Sequence, residues 1–424
     1  SSAGSGDFAT IKYYANGDTA WVRRYNGPAN APDAARAIAL DNLGNVYVTG
    51  NCIYSGVYDD YATIKYNSLG DTVWTRRYNG PGNTYDYPSA IALDSLGNIY
   101  VTGSSTGSGA NFDYATIKYN SNGDTAWTRR YNGPGNGDDI ANAIAVDGQG
   151  NVYVTGYGPS SGTNDDYATI KYNSAGNQEW VRRYNGPGNN EDEAIAIALD
   201  NSGNVYVTGY CDVSSTSSDF ATIKYYANGD TAWLRMYNGP GNSDDGAYAI
   251  AVDGQANVYV AGSTYSSGTS DDYATIKYNS SGVEQWVQIY NGPGNNRDNV
   301  YDIALDNLGN VYVTGYSYGS GTNKDYATIK YVQTQGIAEA NENCKLKIEN
   351  LSVYPNPAKA FFTVSSSLLV FNSTLRLYDV TGKEVKKEEL KTKNCRVSLK
   401  GIKNGVYFVK VGDEIVKEKL VVTK

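Results

Sequence analysis

A period of 53 residues runs through this chain without a slip. The string Asp-(Tyr/Phe)-Ala-Thr-Ile-Lys-Tyr begins at Asp7, Asp60, Asp113, Asp166, Asp219, Asp272 and Asp325. A tryptophan follows at the same interval, at 21, 74, 127, 180, 233 and 286. An Asn-Gly-Pro turn, an Ile-Ala-(Leu/Val)-Asp run and an Asn-(Val/Ile)-Tyr-Val run keep step with it. A constant period without insertions means that one supersecondary unit is built again and again.

Each unit reads as four short strands. In the first they are 37–40, 46–49, 62–66 and 74–78, rich in β-branched and aromatic residues. Turn formers such as Asp-Asn-Leu-Gly-Asn and Asn-Gly-Pro-Gly-Asn separate them. No segment has helical periodicity of useful length. Four strands in a unit of 40–50 residues are the signature of a propeller blade. Residue size orders the strands: small Ala37, Ile38 and Ala39 suit the innermost, and Trp74 and Tyr78 the outermost. The predicted fold is all-β: a six-bladed β-propeller of 53-residue four-stranded repeats, plus a small C-terminal β-sandwich.

Counting strands exposes a surplus. The inner, second and Trp strands each occur six times, and the Ala-Thr-Ile-Lys-Tyr strand seven times. The blade that includes Asp302 lacks its own Trp strand, which the N-terminus supplies at Trp21–Tyr25. That predicts a ring closed by N-terminal strands. The N-terminus also brings Phe8, Ala9, Thr10, Ile11, Lys12 and Tyr13, which duplicate Tyr326–Tyr331. One copy is then displaced, adds as a fifth strand, or pairs with another molecule, since an unpaired strand is a template for addition.

Composition changes near residue 337. Residues 1–336 carry 19 basic and 34 acidic residues, net −15, and 337–424 carry 16 and 10, net +6. The division is therefore 1–336 for the propeller, with repeats from 7 to 331, and 337–424 for a linker and a small all-β domain. Ser352-Val-Tyr-Pro-Asn-Pro-Ala358, Leu377-Tyr-Asp-Val-Thr-Gly-Lys383, Asn404-Gly-Val-Tyr-Phe-Val-Lys-Val411 and Lys419-Leu-Val-Val-Thr-Lys424 resemble the type IX secretion C-terminal sorting domain of Bacteroidetes-like bacteria. Tyr354, Pro355, Asn356, Pro357, Gly382, Gly405 and Tyr407 carry the motif. The resemblance implies export across the outer membrane, engagement of the secretion machinery through residues 348–424, and release or surface attachment. In that family the domain is often cleaved on export. The 53-residue unit, with Ile38-Ala-Leu-Asp-Asn-Leu-Gly-Asn-Val-Tyr-Val-Thr-Gly50 as its core, resembles the SBBP-type bacterial β-propeller repeats. Members of that family are taken as seven-bladed, whereas this chain carries strands for six.

Candidate chemistry is sparse. The chain has no His, which removes Ser-His-Asp triads and His-ligated metals. Asp33, Asp86, Asp139, Asp192, Asp245 and Asp298 recur just before each inner strand. They read as turn-capping carboxylates, with a structural cation in the propeller mouth as the alternative. No other cofactor is expected. Adjacent acids such as Asp165-Asp166 lie on opposite faces of a strand and make poor acid/base partners. Arg297, Asp302, Met236 and Gln288 depart from the repeat and form no recognisable constellation. Cys52 and Cys211 are 159 residues apart, half a turn of a six-fold ring, so they cannot pair with each other. They read as free loop thiols or as intermolecular bridges. Cys344 and Cys395 are a candidate disulfide, which export permits. Asp-(Ser/Thr)-hydrophobic tripeptides make Thr19, Thr72, Thr125, Thr231 and Ser95 candidates for O-glycosylation, or for plain turns.

The propeller's negative charge argues against nucleic acid and anionic membranes as partners. No stretch approaches the roughly 20 apolar residues of a spanning helix. The chain begins in a Gly/Ser segment, as in a mature form with its leader removed or a chain that never had one. The leading expectation is a secreted or cell-surface structural or adhesive propeller, not an enzyme, that self-assembles through the redundant strand. The alternative is a glycan-binding module using loop tyrosines such as Tyr54, Tyr58, Tyr85, Tyr265, Tyr316 and Tyr318. A polysaccharide-acting enzyme ranks last.

Overall fold

The structure is a computed structural model. It describes residues 6–333, except 163, 215, 216 and 267, and in the C-terminal part 352–354, 360–365, 373–381, 383–390, 394–411, 414–415 and 420–423. The chain forms two compact units, 1–335 and 336–424. Among the described residues the regular structure is β-strand throughout.

Five antiparallel four-stranded sheets follow one another in the first unit, at 34–78, 86–131, 140–184, 192–237 and 245–290. Strand order in each sheet equals chain order. In the first sheet the strands are Ala34–Leu40, Val46–Ile53, Asp59–Tyr66 and Thr72–Tyr78. Each sheet's first strand packs on the first and second strands of the preceding sheet, as expected nearest a common axis.

Local chemistry sets each hairpin. Asp41 Oδ1 accepts the Leu43 and Asn45 amides at 3.0 and 2.9 Å, while Asn45 Nδ2 and the Tyr47 hydroxyl donate to Oδ2. This Asx turn recurs at Asp94, Asp147, Asp200, Asp253 and Asp306. Burial pushes Asp41, Asp94 and Asp200 up, but the hydrogen bonds outweigh it and hold them below the usual carboxylate range.

The constant period follows from how blades dock. Trp127 lies against Gly176 of the next sheet's outer turn, and a Cβ there would stand 2.8 Å from the indole. Gly176 also has φ +82°, where glycine alone is unstrained. Arg129 covers the same indole and donates to the Gly176 carbonyl. The set repeats at Trp21/Gly70, Trp74/Gly123, Trp180/Gly229 and Trp233/Gly282. An insertion in one blade would break the contact with its neighbour.

Two partial sheets flank the five. Phe8–Tyr13 pairs with Thr19–Tyr25, and Asn299–Leu305, Val311–Tyr318 and Lys324–Tyr331 form a three-stranded sheet. The ring closure expected from the sequence is not made by strand pairing: among the described residues the N-terminal hairpin joins no other sheet. Lys324–Tyr331 already occupies the edge of Val311–Tyr318 that Phe8–Tyr13 would need. Neither copy of the surplus strand is displaced.

The second unit has two sheets, one of Ser352–Tyr354, Phe361–Ser365 and Asn394–Ser398, the other built around Ser373–Asp379 and Gly405–Val411. Leu375, Leu377, Val397, Leu399, Val409 and Leu420 share its core. Glu384–Leu390 is an edge strand with four charged residues in a row, Lys386-Lys-Glu-Glu389, and its sequence has no strand-like alternation. Charge on an edge strand guards against further pairing.

Candidate functional site

The structure is asymmetric at its two ends. Each internal blade is covered on both faces by its neighbours. The N-terminal hairpin supplies the outer two strands of a blade, and the three-stranded sheet supplies the inner three. Both ends therefore present faces that are buried elsewhere.

At the hairpin, Phe8 is buried and meets Tyr25 edge-on at 5.5 Å, as Tyr61 meets Tyr78. Thr10 is buried, and the Lys12 ammonium donates to the Ser68 carbonyl at 3.0 Å. The opposite face is open. Ile11 is 44% exposed, whereas its counterparts Ile64, Ile117, Ile170 and Ile276 are 0–1% exposed. Where the two inner strands would lie there is a groove of about 220 Å³, lined by Ala9, Thr10 and Ile11 and by Ala35, Ala37 and Ile38.

At the other end Tyr326 is fully exposed, while Tyr61, Tyr114, Tyr167 and Tyr273 in the same place are buried. Tyr301, in the same sheet, is 65% exposed and meets Tyr316 edge-on at 5.8 Å. Lys324–Tyr331 pairs with Val311–Tyr318 only, so its outer edge carries no strand.

The six recurrent aspartates do local work. Asp33, Asp86, Asp139, Asp192, Asp245 and Asp298 are buried, and each accepts the amide of the Gly six residues earlier at 2.5–2.7 Å. Burial pushes Asp139 up to about 6 and Asp192 to about 7, against the pull of those amides. Among the described residues no group of three or more His, Cys, Asp and Glu could hold a metal ion.

The aspartates that open the Asp-(Tyr/Phe)-Ala-Thr-Ile-Lys-Tyr string have partners that the sequence analysis did not assign. Asp60 pairs with Arg77, Asp113 with Arg130 at 2.7 Å and Asp166 with Arg183 at 3.9 Å. The signal was the constant 17-residue separation in each copy. In the next two copies the arginine is Met236 and Ile289.

Cys52 and Cys211 are not loop thiols. They lie in second strands, fully buried and free, and burial pushes them up to about 11 and about 12. Buried thiols do not bridge molecules, so that expectation is corrected. Cys344 and the side chain of Cys395 lie outside the described residues. Thr19, Thr72, Thr125 and Thr231 open the outermost strands and are exposed, as is Ser95 in its Asx turn. The loop tyrosines meet only in separate pairs: Tyr58 meets Tyr85 at 5.0 Å, and Tyr316, buried under the Lys324 ammonium, meets Tyr318 at 6.2 Å, while Arg77 covers Tyr54 at 4.4 Å. In the second unit the Tyr407 hydroxyl donates to the Lys403 carbonyl at 2.9 Å, and Gly405 opens that strand. The backbone of Tyr354 ends a strand, and Pro355, Asn356, Pro357 and Gly382 lie outside the described residues.

Family comparison agrees with this architecture. The beta-propeller repeat family matches residues 73–112, 126–161, 179–215 and 285–321, and the secretion system C-terminal sorting domain matches 352–423. The chain carries SBBP β-propeller repeats and a type IX sorting domain. Such a domain marks proteins exported to the cell surface or secreted, and implies engagement with the secretion machinery. Among solved structures the chain is similar to PorZ, titled an essential bacterial surface component of the type-IX secretion system of Porphyromonas gingivalis. Identity is 15% and the TM-score 0.39, over 91% of this chain and 59% of that one. A glucose dehydrogenase matches at 10% identity and TM-score 0.40, over 71% of this chain and 96% of that one. A gluconolactonase, XC5397 from Xanthomonas campestris, matches at 11% and 0.36, over 72% and 91%. These likenesses carry no argument about activity. No curated protein matches the chain. Among the described residues no helix is long and apolar enough to cross a membrane.

Proposed function

We propose that this exported propeller is a non-enzymatic structural or adhesive protein that assembles by strand exchange. Phe8–Tyr13 of one copy replaces Lys324–Tyr331 on the Val311–Tyr318 strand of the next. Thr10 then faces Thr314 and Ile11 faces Val313, the register that Thr328 and Ile329 now hold. The observation that carries the reading is that the two partial sheets sum to one complete blade with a single strand left over. The incoming strand, Phe8-Ala-Thr-Ile-Lys-Tyr13, differs from the outgoing Tyr326-Ala-Thr-Ile-Lys-Tyr331 at one residue. One ladder is thus traded for nearly the same ladder, and the hairpin adds the Trp21 strand. The apolar area newly covered at Ile11 and Ile38 contributes about 25 cal/mol per Å².

The same exchange within one chain would close a six-bladed ring, and it competes with assembly through its higher effective concentration. Light scattering with negative-stain microscopy on the isolated full chain separates the two. Oligomers or filaments that grow with concentration, and vanish when residues 1–13 are deleted, support the proposal. A monomer at every concentration overturns it.

A further inference from the structure

A cavity of about 400 Å³ opens where the fourth and fifth complete sheets meet the terminal sheet. Apart from the constant Asp245, its lining is drawn from positions at which the copies of the repeat disagree. Glu191, Asp244 and Arg297 share one frame position, which holds Pro32, Tyr85 and Asp138 in the other copies. Tyr210 and Ser263 share the place of Asn51, and Ser218 and Asp271 that of Phe112. Tyr248 stands where the first copy has Arg36. Blade construction needs none of these side chains to differ, because the Asp, Trp, Gly and Thr positions that build the blade stay constant. Positions free of that duty come together at one concave place.

The chemistry there is mixed. Arg297 Nε donates to Asp271 at 2.6 Å, joining the terminal sheet to the fifth complete one, and its side chain stays 59% exposed. Asp244 accepts the Ser218 amide at 3.2 Å. Asp245 is saturated by the Gly239 and Tyr265 amides and the Thr264 hydroxyl. Gly246 makes the room, since a Cβ there would stand 2.9 Å from the Tyr248 hydroxyl. Most of the carboxylates therefore already have donors, and the demand for a cation is met inside the protein. What remains is the Tyr248 and Tyr210 side chains, a guanidinium paired with a carboxylate, and the oxygens of Ser218 and Ser263, whose hydroxyls already donate to Asp212 and Asn299 and so are left as acceptors. Alternating donors and acceptors beside an aromatic face suit a ligand with many hydroxyls and an apolar C–H face.

We infer that this cavity binds a neutral saccharide, one or two pyranose rings at the end of a glycan, with Tyr248 and Tyr210 as the stacking wall and the Arg297–Asp271 pair bonding to ring hydroxyls. The inference is independent of assembly. Saturation-transfer NMR and calorimetry on the full chain test it with cellobiose, maltose, mannobiose and N,N′-diacetylchitobiose, and with trilysine as the charged control. At least one disaccharide binds the parent chain. Arg297→Ala and Tyr248→Ala each weaken it about tenfold or more, a difference of about 1.4 kcal/mol. Tyr85→Ala, at the frame position of Arg297 but in another blade, leaves affinity unchanged. Near-UV circular dichroism confirms that the exposed Arg297 variant folds. Binding of none of the four sugars, equal binding by the Arg297 and Tyr248 variants, or binding of trilysine alone overturns the inference.

Discussion

Ile11 and Ile64 hold the same place in consecutive copies of the repeat, yet Ile64 is sealed beneath the preceding blade and Ile11 is nearly half exposed. The difference is a missing neighbour, not a different residue. In the exchanged blade Ile11 would take the place of Ile329, which packs with Trp286. Ile11→Glu should therefore cost the isolated chain little, within about 0.5 kcal/mol for an exposed site, and abolish oligomers in light scattering. Tyr326→Glu should leave oligomers intact, because exchange expels its strand. Assembly lost in Tyr326→Glu and kept in Ile11→Glu would mean that the ends dock without exchange.

Blade docking can be measured with two glycines of like backbone. Gly176 and Gly56 have φ +82° and +89°. An added Cβ meets the Trp127 ring at Gly176 and nothing within 4 Å at Gly56. Gly56→Ala should cost about 1 kcal/mol from the left-handed backbone alone. Gly176→Ala should cost about 2–4 kcal/mol, because the indole must also move. Urea unfolding of both variants checks the difference. Equal costs would show that the Trp–Gly contact does not couple the blades.

Much of this was legible in the sequence because the repeat averages out accident. Trp127, Gly176 and Asp139 each stand in a series, and a series announces a constructional role. Asp139 reads as a cap for the same reason that it is one: every copy needs the turn. What stayed hidden depends on what a residue lacks. Nothing in Ile11 or Tyr326 marks it as exposed, since the string is the same where it is buried. Cys52 read as a loop thiol because the second strand runs through Gly50 to Ile53, past the glycine taken as its end. The cavity was missed because its members lie far apart in sequence and are united by frame position, not by a motif.

The buried caps make stability depend on pH with a definite sign. Burial raises Asp139 to about 6 and Asp192 to about 7, above their unfolded values near 4. The folded state holds these protons more tightly, so their contribution is fully present below about pH 4 and is lost as pH rises through about 6–7. The Asx-turn carboxylates run the other way. Asp306 sits at about 2 through bonds from Asn310 and Tyr312, so its contribution is lost as pH falls through that value. Stability should peak between roughly pH 4 and 6 and decline toward pH 8. Asp139→Asn keeps an acceptor for Gly133 and removes one titrating group, so the decline in thermal midpoint from pH 5 to 8 should flatten. An unchanged slope would remove Asp139 as a cause.

Asp219 is the clearest case of a repeat position that has lost its partner. Its counterpart Asp113 is held by Arg130, which also donates to the Tyr78 hydroxyl at 3.1 Å. At the arginine's place stands Met236, whose sulfur meets Tyr184 at 4.0 Å. Burial pushes Asp219 up to about 6. The next copy also lacks the arginine, with Ile289 there, and Asp272 accepts the Thr269 hydroxyl at 3.0 Å instead. Met236→Arg should rebuild the pair, since the backbone already places a guanidinium beside this carboxylate in three other copies. An ionised, unpartnered Asp219 gains most, so the variant should be more stable by on the order of 1–2 kcal/mol at pH 8 and by less at pH 5. Urea midpoints at the two pH values measure both numbers. An equal gain at pH 5 and 8 would mean that the arginine acts through packing alone, and a loss at both would mean that Met236 fills a space the longer side chain cannot enter.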